Sequence, residues 1–197
     1  MKVLGIDPGS RFLGFGIVEL ENGCARAVAH GVIRADPQAP LAERLNRLSI
    51  GLEVVLAEHL PNAVAVEGVF THKNARSALI LGHARGVALL LAAKAGLSVH
   101  EYPPAKVKRS VGAGGNDGKD AVARMVTMQL ALKEPLERSD AYDALAVALC
   151  HLHHARNPLL QATRTGFGRP KAHRGAGEFA DKLKPSYIGP GTAGAAR

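Results

Sequence analysis

At the start of the chain, apolar positions fall into three strand-like runs, 3–6, 12–19 and 26–34, joined by PGSR and ENG. Such short connections, rich in Gly and Asn, suit an antiparallel meander. Pro40 then opens a helix in which Leu41, Leu45, Leu48, Leu52 and Val55 recur at three- and four-residue steps, a single apolar stripe ending near His59, before Pro61. The run 63–66 is apolar without alternation, as expected of a strand covered on both faces. A helix over about 74–94 follows, then a short strand at 99–102 and a basic helical turn, AKVKRSV, started by Pro103 and Pro104. The glycine-rich loop 112–118 leads to a helix from Lys119 to about Leu132, and Ser139 begins a last one reaching about His154. The order βββαβαβααα predicts an α/β fold, a five-stranded mixed sheet flanked by helices.

After Asn157 the periodic pattern stops. Residues 157–197 are rich in Gly and Pro and read as a basic, disordered tail behind a single domain over 1–156. This division changes the meaning of the charge. The chain of 197 residues carries a formal +8, which points to an anionic partner, nucleic acid or a membrane surface. The tail's seven Lys and Arg against two Asp and Glu account for +5 of it, leaving +3 for the domain. Cys24 and Cys150 are the only cysteines, too few for a disulfide scaffold or a cysteine zinc site, so a reducing compartment is expected. No leader opens the chain, and its longest uncharged apolar run, 86–93, falls far short of the roughly 18 residues of a membrane span. The expectation is a soluble, cytoplasmic protein with no membrane partner.

Four acids stand out by position. Asp7 follows the first strand in D-P-G-S, where a turn alone explains an Asp. Glu67 ends the apolar strand AVAV, where an ionised carboxylate is costly unless a cation or strong donors compensate it, or unless, at a strand end beside Gly68, it simply points to solvent. Asp140 and Asp143, three residues apart on one helical face, also read as a capping box complementing the helix dipole. Together, three distant segments each deliver acid at a strand end or a helix start. If the first and fourth strands are neighbours, Asp7 and Glu67 lie side by side, and carboxylates that close repel unless a divalent cation joins them. Oxygen-only ligands suit Mg²⁺ or Mn²⁺, and two such ions about 4 Å apart support phosphodiester cleavage. The histidines at 151, 153 and 154 do not share one helical face and make a poor metal cluster.

The basic and aromatic residues near these acids fit a solvated basic face and a core aromatic as well as contact with DNA, and only their adjacency to the acids favours DNA. Phe70, among polar neighbours and followed by Lys73 and Arg76, suits a base-stacking wedge. Lys106, Lys108 and Arg109 share the basic turn, and Lys119 follows the glycine loop, both placements suited to phosphate contact. The helix over 74–94, with Gly82 and Gly86, is apolar around much of its circumference, fitting either a core helix or one that also meets a partner subunit. The glycines that follow Asp7 let the second strand pass close to the acids.

GIDPGSRFLGFGIV, AVEGVFTHKNARSALILGHARGV, EYPPAKVKRSVGAGGNDGK and SDAYDALAVALCH resemble, in order and spacing, the successive motifs of the RuvC-type Holliday-junction resolvases. The resemblance covers residues 1 to about 156; the tail lies outside it. It implies a ribonuclease-H-like fold, a homodimer, and a Mg²⁺-dependent endodeoxyribonuclease that nicks two strands of like polarity across a four-way junction in recombination and repair. It implies that Asp7, Glu67, Asp140 and Asp143 bind two metal ions, that Phe70 contacts the junction, and that Lys108 and Lys119 are functionally important, with Lys119 stabilising charge on the phosphate. Cleavage giving 5′-phosphate and 3′-hydroxyl ends, dimerisation through the 74–94 helix, and cooperation with the RuvA and RuvB branch-migration proteins follow from it too. Two other classes bear weighing. An actin-like kinase or ATPase shares the G-I-D-x-G turn, yet 156 residues leave no room for the second lobe such enzymes need. A nuclease of the same fold acting on another nucleic acid, or a junction-binding protein without catalysis, stays open.

Overall fold

A computed structural model describes residues 1–68, 75–113 and 119–156. Its elements are β1 (Lys2–Asp7), β2 (Phe12–Glu21), β3 (Cys24–Arg34), α1 (Leu41–His59), β4 (Ala63–Glu67), α2 (Ala75–Lys94), β5 (Ser98–Tyr102), α3 (Pro104–Ser110), α4 (Lys119–Gln129) and α5 (Ser139–Arg156), in the order the pattern predicts. The strands form one sheet in the order β3-β2-β1-β4-β5. The meander pairs antiparallel, whereas β1 with β4 and β4 with β5 run parallel.

Side-chain alternation sorts the core into two layers. Leu4 and Ile6 of β1 and Val64 and Val66 of β4 pack with Leu48 and Leu52 of α1 and Ala84, Ala88 and Leu91 of α2. Val3 and Ala65 face the opposite side, against α5 and the α3–α4 region. The sheet is therefore covered on both faces, as the unbroken apolar run of β4 requires. Each fully buried Leu or Ile contributes about 2 kcal/mol from water exclusion.

The layer that matters for the site is α5, in which every residue from Ala144 to Leu152 is buried. It lies almost on the backbone of the sheet. A Cβ at Gly5 would stand 2.0 Å from the Ala144 carbonyl oxygen, and one at Gly14 would stand 2.1 Å from that of Asp140. Only glycine permits this approach, so two residues unfavourable for strands set the depth of the helix.

Some boundaries differ from the sequence pattern. The β2–β3 hairpin is longer, because Asn22 and Gly23 take φ of 50° and 82° and turn the chain tightly enough for pairing to reach Glu21 and Cys24. Within it, Val28 is the extra residue of a bulge. Helix α4 stops at Gln129 rather than near 132, since Ala131 is left-handed (φ 48°) and the Leu132 N–H donates back to the Thr127 carbonyl at 3.0 Å. Asn74, the expected start of the long helix, lies outside the described residues.

Among the described residues, α2 alone is long and apolar enough to cross a membrane. It instead lies along the sheet, with Arg85 ion-paired to Glu101 of β5. Its outward side nevertheless leaves Leu79 66% and Leu90 56% exposed.

Candidate active site

The acids converge because of strand register. Residues 3, 5 and 7 of β1, like 63, 65 and 67 of β4, face α5. Ile6 pairs with Val66 in parallel register, so Asp7 and Glu67 are the next residues on adjacent strands, on the same face. On its other side Asp7 pairs with Gly14, and the missing side chain there makes room for the backbone of Asp140. The first turn of α5, carrying Asp140 and Asp143, thus sits over the end of β1.

Electrostatics report the same convergence. Asp7 retains some solvent contact as a residue, yet its carboxyl is largely enclosed. Burial raises its pKa first; the negative charges of Glu67, Asp143 and Asp140 raise it further, as does a hydrogen bond with Glu67. The result is about 8, against an ordinary 3.8. At neutral pH Asp7 holds its proton and is hydrogen-bonded with Glu67. Four carboxyl groups from three segments, one kept neutral by burial and by the others' charge, are an oxygen donor set suited to hard divalent ions. Among the described residues no three His, Cys, Asp or Glu side chains are already arranged to hold a metal ion. The acids have other partners: Asp7 with Glu67, and Asp140 with Arg138.

Arg138 is a residue that the motif reading missed. Its Nε donates to the Oδ2 of Asp140 at 3.0 Å, its Nη2 lies 2.9 Å from the same oxygen as an ion pair, and its guanidinium stacks 3.7 Å above the ring of Phe12, the first residue of β2. An arginine two residues before an acid is too common a pattern to signal this. Arg44 of α1 was missed too; its Nη1 donates to Ser10 Oγ at 3.3 Å, tying α1 to the turn after Asp7.

The basic residues are placed unevenly. Arg76 is exposed in the first turn of α2, Lys108 is half-buried and Arg109 exposed in the last turn of α3. Lys106 turns inward: its Nζ lies 2.8 Å from His154 Nε2 and 5.3 Å from the Tyr102 ring centre. Each histidine at the end of α5 is likewise engaged, His151 Nδ1 with the Tyr102 hydroxyl at 2.8 Å and His153 Nδ1 with the Ser110 carbonyl at 3.1 Å. Phe70 and Lys73 lie outside the described residues. Lys119 opens α4 by its backbone, and its side chain lies outside them as well.

Residues 3–151 match the family model "Crossover junction endodeoxyribonuclease RuvC". The chain belongs to the RuvC family. A RuvC of Myxococcus xanthus is 60% identical over 191 residues, covering 96% of this chain and 98% of that protein. That match runs into the tail, for which the motif comparison offers no counterpart. The RuvC of T. thermophilus, solved in complex with a Holliday junction substrate, is 39% identical with a TM-score of 0.72, over 79% of this chain and 96% of that one. The yeast mitochondrial Holliday junction resolvase Ydc2, at 16% identity and TM-score 0.54 over 82% of this chain and 86% of its own, shares the fold. The ribonuclease-H-like architecture expected from the motifs is the one observed.

Proposed function

We propose that this chain is the Holliday-junction endonuclease its family membership indicates, a metal-dependent endodeoxyribonuclease whose active site is the acid cluster at the ends of β1 and β4 beneath α5. The observation that carries the assignment of the site is Asp7: its carboxyl is held protonated near neutrality by burial and by three acids brought to it from distant segments. A structural turn needs no such arrangement, and a junction binder without catalysis gains nothing from it.

On this reading Asp7, Glu67, Asp140 and Asp143 hold two Mg²⁺ or Mn²⁺ ions. Bound there, such ions supply Lewis-acid activation of the attacking water and stabilisation of the leaving oxygen. The protein's part is positioning: parallel register aligns Asp7 with Glu67, and Gly14 admits the helix that brings the other two acids. In-line attack leaves a 5′-phosphate and a 3′-hydroxyl. Lys119 and Lys108 balance phosphate charge, Phe70 stacks on the junction, and Lys73, Arg76, Lys106 and Arg109 add backbone contacts, Lys106 only after leaving His154.

Paired symmetric nicks require two equivalent sites, and a two-fold dimer provides them. The face of α2 formed by Leu79, Gly82, His83, Gly86 and Leu90 is the surface for it: apolar, concave, and open enough that a Cβ at Gly82 or Gly86 meets nothing within 4 Å. Partnership with RuvA and RuvB, a cytoplasmic location, and the division into a nuclease domain at 1–156 and a basic tail at 157–197 belong to the same reading. The test is incubation of the purified chain with a synthetic four-way junction and with linear duplex, with and without Mg²⁺ or Mn²⁺. The expected result is paired, metal-dependent nicks in the junction alone. Equal cutting of duplex, or cutting in EDTA, overturns the proposal.

A further inference from the structure

We infer that Arg138 is a positioning residue for the active site: its guanidinium, clamped between Phe12 and Asp140, fixes the carboxylate that α5 offers to the metal. This rests on the proposed role of the four acids. The Nε hydrogen bond and the Nη2 ion pair of Arg138 both go to one oxygen, Oδ2, which leaves Oδ1 for a cation. Beneath it, Phe12 opens β2 and pairs in register with Arg34 of β3. Arg34 in turn forms an ion pair with Glu137, next to Arg138 in the chain. Two arginine contacts therefore link the segment before α5 to the ends of β2 and β3.

The chemistry requires arginine. A planar guanidinium lies flat on a ring while its Nε–H reaches the carboxylate, whereas an ammonium is a point charge without that plane or fixed fork. Arg138 also repels an incoming dication. That effect is the smaller one, because the Arg138 side chain is 32% exposed and sits on the far oxygen. Partners that orient a ligating carboxylate typically alter metal affinity by about 10- to 100-fold, while a part-exposed ion pair adds little to folding stability.

The experiment measures Mn²⁺ binding to the free full-length chain by calorimetry for wild type, Arg138→Gln, Arg138→Lys and Phe12→Leu, alongside junction nicking across Mn²⁺ concentrations. Arg138→Gln is expected to weaken Mn²⁺ binding about tenfold. Arg138→Lys should recover little of that loss, and Phe12→Leu should lose about threefold in the same direction. The Mn²⁺ needed for half-maximal nicking shifts by the same factors, while the rate at saturating Mn²⁺ returns to within about twofold and melting temperatures stay within about 2 °C. Unchanged or tighter Mn²⁺ binding by Arg138→Gln overturns the inference, and so does full rescue by Arg138→Lys, which reduces the residue to a charge. A rate loss that no Mn²⁺ concentration restores also overturns it, by making Arg138 a DNA contact. Asp7→Asn separates the two levels. If it too binds Mn²⁺ normally, the metal-site reading fails; if it alone loses Mn²⁺, only the role of Arg138 fails.

Discussion

Asp7→Asn should yield a protein that is inactive and yet more stable when metal-free. Between the ordinary carboxyl pKa of 3.8 and the folded value of about 8, folded Asp7 keeps a proton that the unfolded chain has released. Stability therefore falls as pH rises through this window, by about 1.4 kcal/mol per unit, and is constant below and above it. At pH 7, about three units into the window, the ceiling on the penalty is about 4 kcal/mol. Residual solvent contact screens part of the repulsion, and about 2 kcal/mol is expected. Asparagine keeps the shape, carries no charge and escapes the penalty. Urea denaturation in EDTA followed by circular dichroism should show the variant more stable by that amount at pH 7, with the gap closing below pH 4 and levelling off above pH 8. Mn²⁺ should stabilise wild type and leave Asp7→Asn unchanged. The variant should bind four-way junctions and not nick them. Parallel pH profiles for the two proteins, or a variant less stable at pH 7, refute the electrostatic reasoning, and normal cleavage refutes the metal assignment.

Two further substitutions probe the scaffold and the assembly. Gly14→Ala places a methyl group against the Asp140 carbonyl, where the gap is 2.1 Å; a loss of about 3 kcal/mol in denaturation is expected, with reduced nicking as α5 is pushed off the sheet. Leu79→Glu puts a charge on the open face of α2, where Leu79 is 66% exposed; sedimentation should give a monomer of unchanged helicity that no longer makes paired nicks, and a dimer of normal activity would move the interface elsewhere.

Much of this protein was legible one segment at a time. The ENG turn announced a hairpin, the 3.6-residue apolar stripe announced α1, and an apolar run without alternation announced a strand covered on both faces. These are local properties, set by turn chemistry and side-chain periodicity within a few residues. Asp7 is the instructive case, since a D-P-G-S turn explains it fully when read alone. The sequence raised the possibility of a site only by repeating acid at three separate element ends, and the order of motifs then supplied a family.

By itself, then, the sequence determined which elements form, which four acids are unusual for their places, and to which family the chain is similar. The tertiary structure decided what those acids experience. The parallel register of β1 and β4 sets Asp7 beside Glu67, and the bare backbone of Gly14 admits α5, so that burial and mutual repulsion hold Asp7 protonated near pH 7. It also decided that Lys106 is held by His154 and that Arg138 links Phe12 to Asp140 across more than a hundred residues of chain. Such contacts depend on how sheet and helices pack, and packing joins residues whose separation in sequence carries no periodic signal.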